Sequence, residues 1–237
     1  MAFHRKMAAL QTLQPDVAVV GECADPDTLA ERGLEGLTEE TCLWMGASRH
    51  KGLGIFAFNG FRIRRHEPFR PTLRYVLPVQ VTGPESCNLM GVWAQNASGG
   101  VTRKRQLGPL RRGLSAYRSF LTAGPTIVGG DLNNNAIWDR PGWRINHMAK
   151  VGIMDGLGLV SAYHALKGEA HGQETEPTHY WRDRRVDGPT YHLDYAFVPR
   201  DRIACIKDFH IGSFDDWVGN GLSDHVPVLV DIDLGHC

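Results

Sequence analysis

"IVGGDLNNNAIWD", residues 127–139, runs from an apolar pair through two glycines into one carboxylate and three carboxamides. Ile127 and Val128 suit a strand, while Gly, Asp and Asn are turn residues whose Asx side chains bond their own backbone. A turn is therefore the first reading. The second is that a strand ending on a carboxylate delivers an acid to the rim of a sheet.

The same pattern occurs at three more places. Glu22 closes "DVAVVGE" (16–22), Asp194 interrupts "HLDYAFV" (192–198), and "SDH" (223–225) leads into "VPVLVDI" (226–232). A buried carboxylate is costly unless it is paired or holds a metal. Four of them at the ends of apolar runs share a simple explanation, which is that the strand ends converge.

Hard divalent cations such as Mg²⁺ or Mn²⁺ take oxygen ligands, and one or two carboxylates plus substrate phosphate hold them. Glu22, Asp131 and Asp224 suit that task. His225 reaches the same site from the loop before its strand, and Asp194 is its natural partner, fixing the tautomer and favouring the imidazolium. Asp131 and Asn133 are two residues apart, so in extended chain they face one way and address one phosphate, while Asn134 and Asn135 read as turn.

Outward from these words, Met7, Leu10 and Leu13 recur at helical spacing and Pro15 ends the run, which predicts a helix over 3–13. Strands are expected at "DVAVVGE", "TCLWMG", "GLGIFAFN", "FRIRRH", "LRYVLPVQVTG", "NLMGVWAQN", "TIVGGD", "THYW", "YHLDYAFV", "CIKDFHIG" and "VPVLVDID". Helices are expected over 105–121 and 145–157, the second with Asn146 as its cap. "KGLG" (51–54) reads as a hairpin turn, and "NAS" (96–98) is a glycosylation sequon by spelling alone. So many short strands with few helices do not make a βαβ repeat; two packed sheets with helices outside are more economical.

The chain has 237 residues, 42% of them hydrophobic, which fits a single domain over 1–237. No apolar run approaches the ~20 residues that span a bilayer, and the charged start lacks a signal-peptide core, so a cytoplasmic protein without membrane insertion is expected. Five cysteines without C-x-x-C spacing predict reduced thiols rather than a disulfide framework or zinc site. The net charge is zero but uneven, since residues 41–130 hold 13 basic and 2 acidic side chains. That middle reads either as a solvated flank or as a surface for phosphates.

"VVGE", "GGDLN", "HLDYAFV" and "SDHVPV", in this order, resemble the signature words of the endonuclease/exonuclease/phosphatase superfamily, the relatives of deoxyribonuclease I, from about residue 3 to residue 234. The resemblance implies an α/β four-layered sandwich, two mixed sheets flanked by helices. It implies that Glu22 and Asp224 serve the metal with Asp131, that Asp131 and Asn133 position the nucleophile and phosphate, and that His225 with Asp194 stabilises the transition state. Asn96, His192 and Trp181 fall to the substrate side. Two departures accompany it. Trp93 stands where relatives often have Tyr or His and is read as packing. The first family strand, ending in an Asn near the metal, is absent, so the chain is expected either to start upstream of Met1 or to lack a core strand.

The expected function is a Mg²⁺- or Mn²⁺-dependent phosphoesterase acting on nucleic acid, with Trp138, Trp143 and Trp181 as aromatic faces for bases. The alternatives are a phosphatase of a small phosphorylated metabolite or lipid head group, and a non-catalytic relative that binds nucleic acid or protein. No obligate protein partner is inferred.

Overall fold

The structure, a computed structural model, describes residues 3–94, 107–181 and 184–235. Helix α1 (Phe3–Thr12) turns Phe3 and Met7, one turn apart, into the core. Strand β1 (Val17–Cys23) leads to helix α2 (Pro26–Glu31), which starts where the Asp25 side chain accepts the Thr28 N–H and Pro26 fills the first turn. Strands β2 (Cys42–Ser48) and β3 (Lys51–Ala57) form a hairpin, and β4 (Arg62–Arg65), β5 (Val76–Thr82) and β6 (Cys87–Trp93) follow. Helices α3 (Gly108–Ala116) and α4 (Arg118–Leu121) precede β7 (Thr126–Asp131). Then come α5 (His147–Asp155), β8 (Leu159–Ser161), α6 (Ala162–Lys167), β9 (His179–Tyr180), β10 (Thr190–Tyr191), β11 (Asp194–Pro199), β12 (Ile206–Ile211) and β13 (Val228–Ile232).

The larger sheet has the order β4-β5-β6-β7-β11-β8, antiparallel except where β6 and β7 run parallel. The other face of the sandwich is β1-β3-β2, and β12 pairs with β13 separately. Strand alternation sorts the side chains into layers. Leu89 and Trp93 of β6 point inward to join Leu53 and Ile55 of β3 between the sheets, while Met90 and Val92 point outward against Leu110, Leu114 and Phe120 of α3 and α4. On the opposite outer face Phe56 packs with Phe3, Met7 and Leu29. Helix, sheet, sheet, helix is the four-layered α/β sandwich that the strand pattern calls for. Each of its fully buried Leu, Ile or Phe side chains contributes about 2–3 kcal/mol.

Local expectations are corrected in four places. "KGLG" is the start of β3 rather than the turn, and its Gly52, with Gly46 across the ladder, leaves room for the Trp44 indole. The helix expected over 105–121 breaks at Tyr117 into two, its first residues lying outside those described. Asn146 does not cap α5 with its side chain; Asp139 does, accepting the N–H groups of His147 (2.6 Å) and Met148 (2.9 Å). Cys23, Cys42 and Cys87 are free thiols but Cys205 is disulfide-bonded, against the expectation of reduced cysteines. The sequon at 96–98 lies outside the described residues. Among the described residues the ladder partner of β1 is β3 alone and that of β13 is β12 alone, and no helix is long and apolar enough to cross a membrane.

Candidate functional site

β7 and β11 are antiparallel neighbours in register Asp131↔Asp194, so the two carboxylates stand side by side at one rim of the larger sheet. Asp131 reaches that rim because of the glycines before it. Gly130 has φ +128, and a Cβ there would lie 2.1 Å from the Val92 carbonyl oxygen of the parallel strand β6, so no larger residue fits. The Asp131 carboxylate accepts both the backbone N–H and the side-chain Nδ2 of Asn133, each at 2.7 Å. Asn133 holds a left-handed φ of 46 to make this clasp.

Asp194 Oδ2 accepts Nδ1–H of His225 at 2.8 Å and the Thr178 hydroxyl at 2.7 Å. Thr178 Oγ1 in turn accepts the N–H groups of Leu193 and Asp194. The segment 178–180 and the loop 224–226 bond each other through Val226 N–H to Thr178 O and Tyr180 N–H to Asp224 O. This locks His225 over Asp194. Asp131, Asp194 and His225 bring one ligating atom each to within 4.8 Å of the others.

Crowding sets the charges. Burial, then the Asp194 carboxylate, pushes Asp131 up to about 8. Burial alone would lower His225, but Asp194 and its hydrogen bond outweigh that and lift the ring to about 9. Asp194 pays desolvation too, yet His225 holds it below the usual carboxylate range. At neutral pH the trio therefore carries an imidazolium, a carboxylate and a carboxyl able to exchange its proton.

Glu22 enters from the facing sheet. A one-residue bulge between Val20 and Cys23 breaks the β1–β3 register, and within it Glu22 adopts φ 56, turning its side chain to the rim. Gly21 lies against Trp93, whose register partner is Asp131. Lys51 bonds Glu22 at 2.8 Å and lies 5.4 Å from the Trp93 ring centre. Trp93 itself is 3% exposed and packs on Tyr75, as the sequence reading has it. Asp224 faces Arg184 Nη2 at 3.7 Å, and its Oδ1 is buried without a partner. An orphan carboxylate oxygen beside two further carboxylates is a donor set that fits a hard divalent cation.

The sequence-derived residues thus divide. Asp131, Asn133, Asp194 and His225 form one cluster, while Asp224, next to His225 in sequence, and Glu22, on the facing sheet, are near enough for their charges to act on His225 and Asp131. Trp181 is 42% exposed and lines a cavity of about 360 Å³ next to Asn133, together with Trp138, Trp143 and Tyr191. His192, expected on the substrate side, is 4% exposed, with its Nδ1 bonded to the Glu176 carbonyl oxygen at 2.8 Å and its ring packed against Tyr163 and Tyr195. Residue 193 breaks the alternation, because β11 begins only at Asp194. Asn96 lies outside the described residues.

Three contributors escape the sequence reading. Thr178 orients Asp194. His179 lines the cavity 4.4 Å from His225, centre to centre, with a buried, unpartnered Nδ1 and a pKa that burial, then His225, drops to about 4. Asn135, read as turn, is 2% exposed and donates Nδ2 to Glu174 Oε2, the His192 carbonyl oxygen and Tyr195 Oη. Three carboxamides in a row after a buried strand are the signal for it, since a surface turn needs only one.

No protein-family model matches the sequence, and no curated protein matches it. Solved structures do match by shape. The AP endonuclease LMAP from Leishmania major superposes with a TM-score of 0.66 at 16% identity, over 94% of this chain and 80% of the other. The 3'-5' exonuclease NExo from Neisseria meningitidis gives 0.63 at 17%, over 96% and 94%. An endonuclease/exonuclease/phosphatase from Beutenbergia cavernae gives 0.62 at 19%, over 98% and 66%.

Proposed function

We propose that this chain, which has the deoxyribonuclease I-like fold of those neighbours, is a Mg²⁺- or Mn²⁺-dependent phosphoesterase whose substrate is a nucleic-acid phosphodiester. The observation that carries the reading is the Asp131–Asp194 pair with His225 bonded to Asp194 and Asn133 clasping Asp131. An acid poised near neutrality beside a fixed imidazolium is what in-line hydrolysis of a phosphate ester needs.

In this reading Asp131 in its ionised form takes a proton from the attacking water, and Asn133 holds its carboxylate in place. His225 has Nδ1 committed to Asp194, so its Nε2–H donates to the phosphoryl oxygen on which charge develops. Glu22, Asp131 and Asp224 are the ligands for the divalent ion, which when bound neutralises phosphoryl charge and favours the leaving group. Lys51 and Lys6 stand beside this acidic edge and offset its charge, Lys51 bonding Glu22 at 2.8 Å and Lys6 bonding Ser223 Oγ at 3.1 Å.

Two surfaces support nucleic acid over a small metabolite. The aromatic cavity offers faces for a base. Arg70, Arg111, Arg112 and Arg144 line a groove of about 620 Å³, and among the described residues no carboxylate pairs with any of them. Trp143 and Ile145 line the cavity while Arg144 lines the groove, so the two adjoin. A structure of the D146N form of NExo, described as a 3' phosphatase, holds product DNA hairpin; it is 16% identical to this chain, with a TM-score of 0.60. The test is hydrolysis of bis(p-nitrophenyl) phosphate, plasmid, RNA and inositol phosphates, each with Mg²⁺, Mn²⁺ or EDTA. Ion-dependent cleavage of nucleic acid that Asp131→Asn abolishes is expected. Turnover of inositol phosphates alone would move the substrate to small molecules, and no turnover of any of the four would overturn the enzymatic reading.

A further inference from the structure

Away from the phosphoester site, the segment after α6 gathers an unusual set of side chains. His164 lies in α6, Gly168 closes that helix with φ +71, and the chain returns to bring His171 and Glu174 back against it. His164 Nε2 is 3.1 Å from Glu174 Oε1, and the two side chains are 9% and 3% exposed. The His164 and His171 rings lie 3.5 Å apart, centre to centre. His147, from α5, sets its Nε2 3.0 Å from His171 Nδ1. One ligating atom each from His164, His171 and Glu174 falls within 4.8 Å of the others.

We propose that His164, His171 and Glu174 bind a Zn²⁺-like transition-metal ion, with His147 adjoining His171 and water completing the coordination. Two or three imidazole nitrogens with one carboxylate oxygen are a borderline-soft donor set, which takes Zn²⁺ and related ions over Mg²⁺. The outer contacts have the form that orients metal ligands. His164 Nδ1 is held by Ser161 Oγ at 2.7 Å, directing Nε2 to Glu174. Glu174 Oε2 accepts the Gly172 N–H and Asn135 Nδ2, both at 3.0 Å, which leaves Oε1 turned to the histidines. A bound ion would tie the loop 168–174 to the asparagine run, because Glu174 holds Asn135 and a Cβ at Gly172 would crowd Ala136 and Ile137. Its role is to clamp; the carboxylate cluster at the strand ends is a separate, oxygen-rich site.

The experiment uses the full chain carrying Asp131→Asn and Asp224→Asn, which removes the oxygen site, stripped with EDTA and given one equivalent of Zn²⁺ or Co²⁺ with excess Mg²⁺ present. One equivalent retained through gel filtration, a raised thermal midpoint and the intense visible bands of four-coordinate Co²⁺ are expected. Adding His171→Gln or Glu174→Gln should weaken binding ~100-fold or more. No retained ion, or retention unchanged by either added substitution, overturns the proposal. Should those variants not fold, ¹⁵N imidazole spectra of the parent protein decide instead: at least two histidine nitrogens shift to metal-bound values on adding Zn²⁺, and none shifting overturns it. Phosphoester hydrolysis plays no part in the readout, so this result and the catalytic one fail independently.

Discussion

Asp194→Asn keeps the side-chain volume and an oxygen for the Thr178 hydroxyl, but removes the charge that His225 faces. The ring rises from 6.5 to about 9 in the folded protein, which corresponds to about 3 kcal/mol of preferential interaction with its charged form. His225 thus binds its proton more tightly folded than unfolded, and its contribution is complete below about pH 6.5 and lost as pH rises through about 9. Asp131 works in the same direction: its folded carboxyl keeps a proton up to about pH 8 while the unfolded one ionises near 3.8, so its contribution falls as pH rises between these values and is gone above about 8. Without divalent ions, the wild type should therefore lose about 3 kcal/mol or more between pH 6.5 and about pH 9.5. In Asp194→Asn burial still holds Asp131 raised but His225 loses the charge that lifts it, so the protein should be about 3 kcal/mol less stable at pH 6.5 and fall less steeply than the wild type from there to about pH 9.5. Urea unfolding of both proteins in EDTA at three pH values measures this. Parallel stability curves for the two proteins would refute the assignment of the His225 charge to Asp194.

Gly130→Ala forces a methyl onto the Val92 carbonyl in a left-handed backbone, and a loss of roughly 3 kcal/mol or more is expected in the same urea assay. Asn135→Ala removes the Nδ2 bonds to Glu174 Oε2, the His192 carbonyl oxygen and Tyr195 Oη and takes the acceptor from the Ile137 N–H, and it should cost about 2 kcal/mol, read as a lowered thermal midpoint. Trp138→Ala should raise KM for nucleic acid about tenfold while leaving bis(p-nitrophenyl) phosphate turnover unchanged, since the ring lines the cavity beside Tyr191 rather than the carboxylate pair.

Much of the layering is legible from the period-two alternation of segments such as "NLMGVWA", where Met90 and Val92 go to one side and Leu89 and Trp93 to the other. The strand-end acids are legible for a related reason: an apolar run cannot keep a carboxylate unless something answers its charge. Features created by side chains meeting across distant loops are not. Thr178 looks like any surface threonine until it receives two backbone N–H groups, and His192 sits two residues from Asp194 yet lies beneath it because the strand has not begun. Asp139 caps α5 from eight residues away, where a local rule selects Asn146. The bulge that turns Glu22 leaves no mark in "VVGEC" beyond its glycine.

The strands β1 and β13 each find a ladder partner on one side, and His225 stands on the loop that leads into β13. The hairpin β12–β13 is fastened to the body by side-chain packing of Leu10 and Leu13 on Trp217 and Val226 and by the two backbone bonds between 178–180 and 224–226. Such a unit opens at a lower free energy than the central strands, so its amides exchange with solvent first. One half of the imidazole–carboxylate pair thus rides on a two-stranded unit beside the sandwich and the other on a central strand of its larger sheet. Opening of that unit separates them while the core stays folded, and the fraction of molecules with the pair intact becomes a property of the hairpin, with its own temperature ceiling below that of the sandwich.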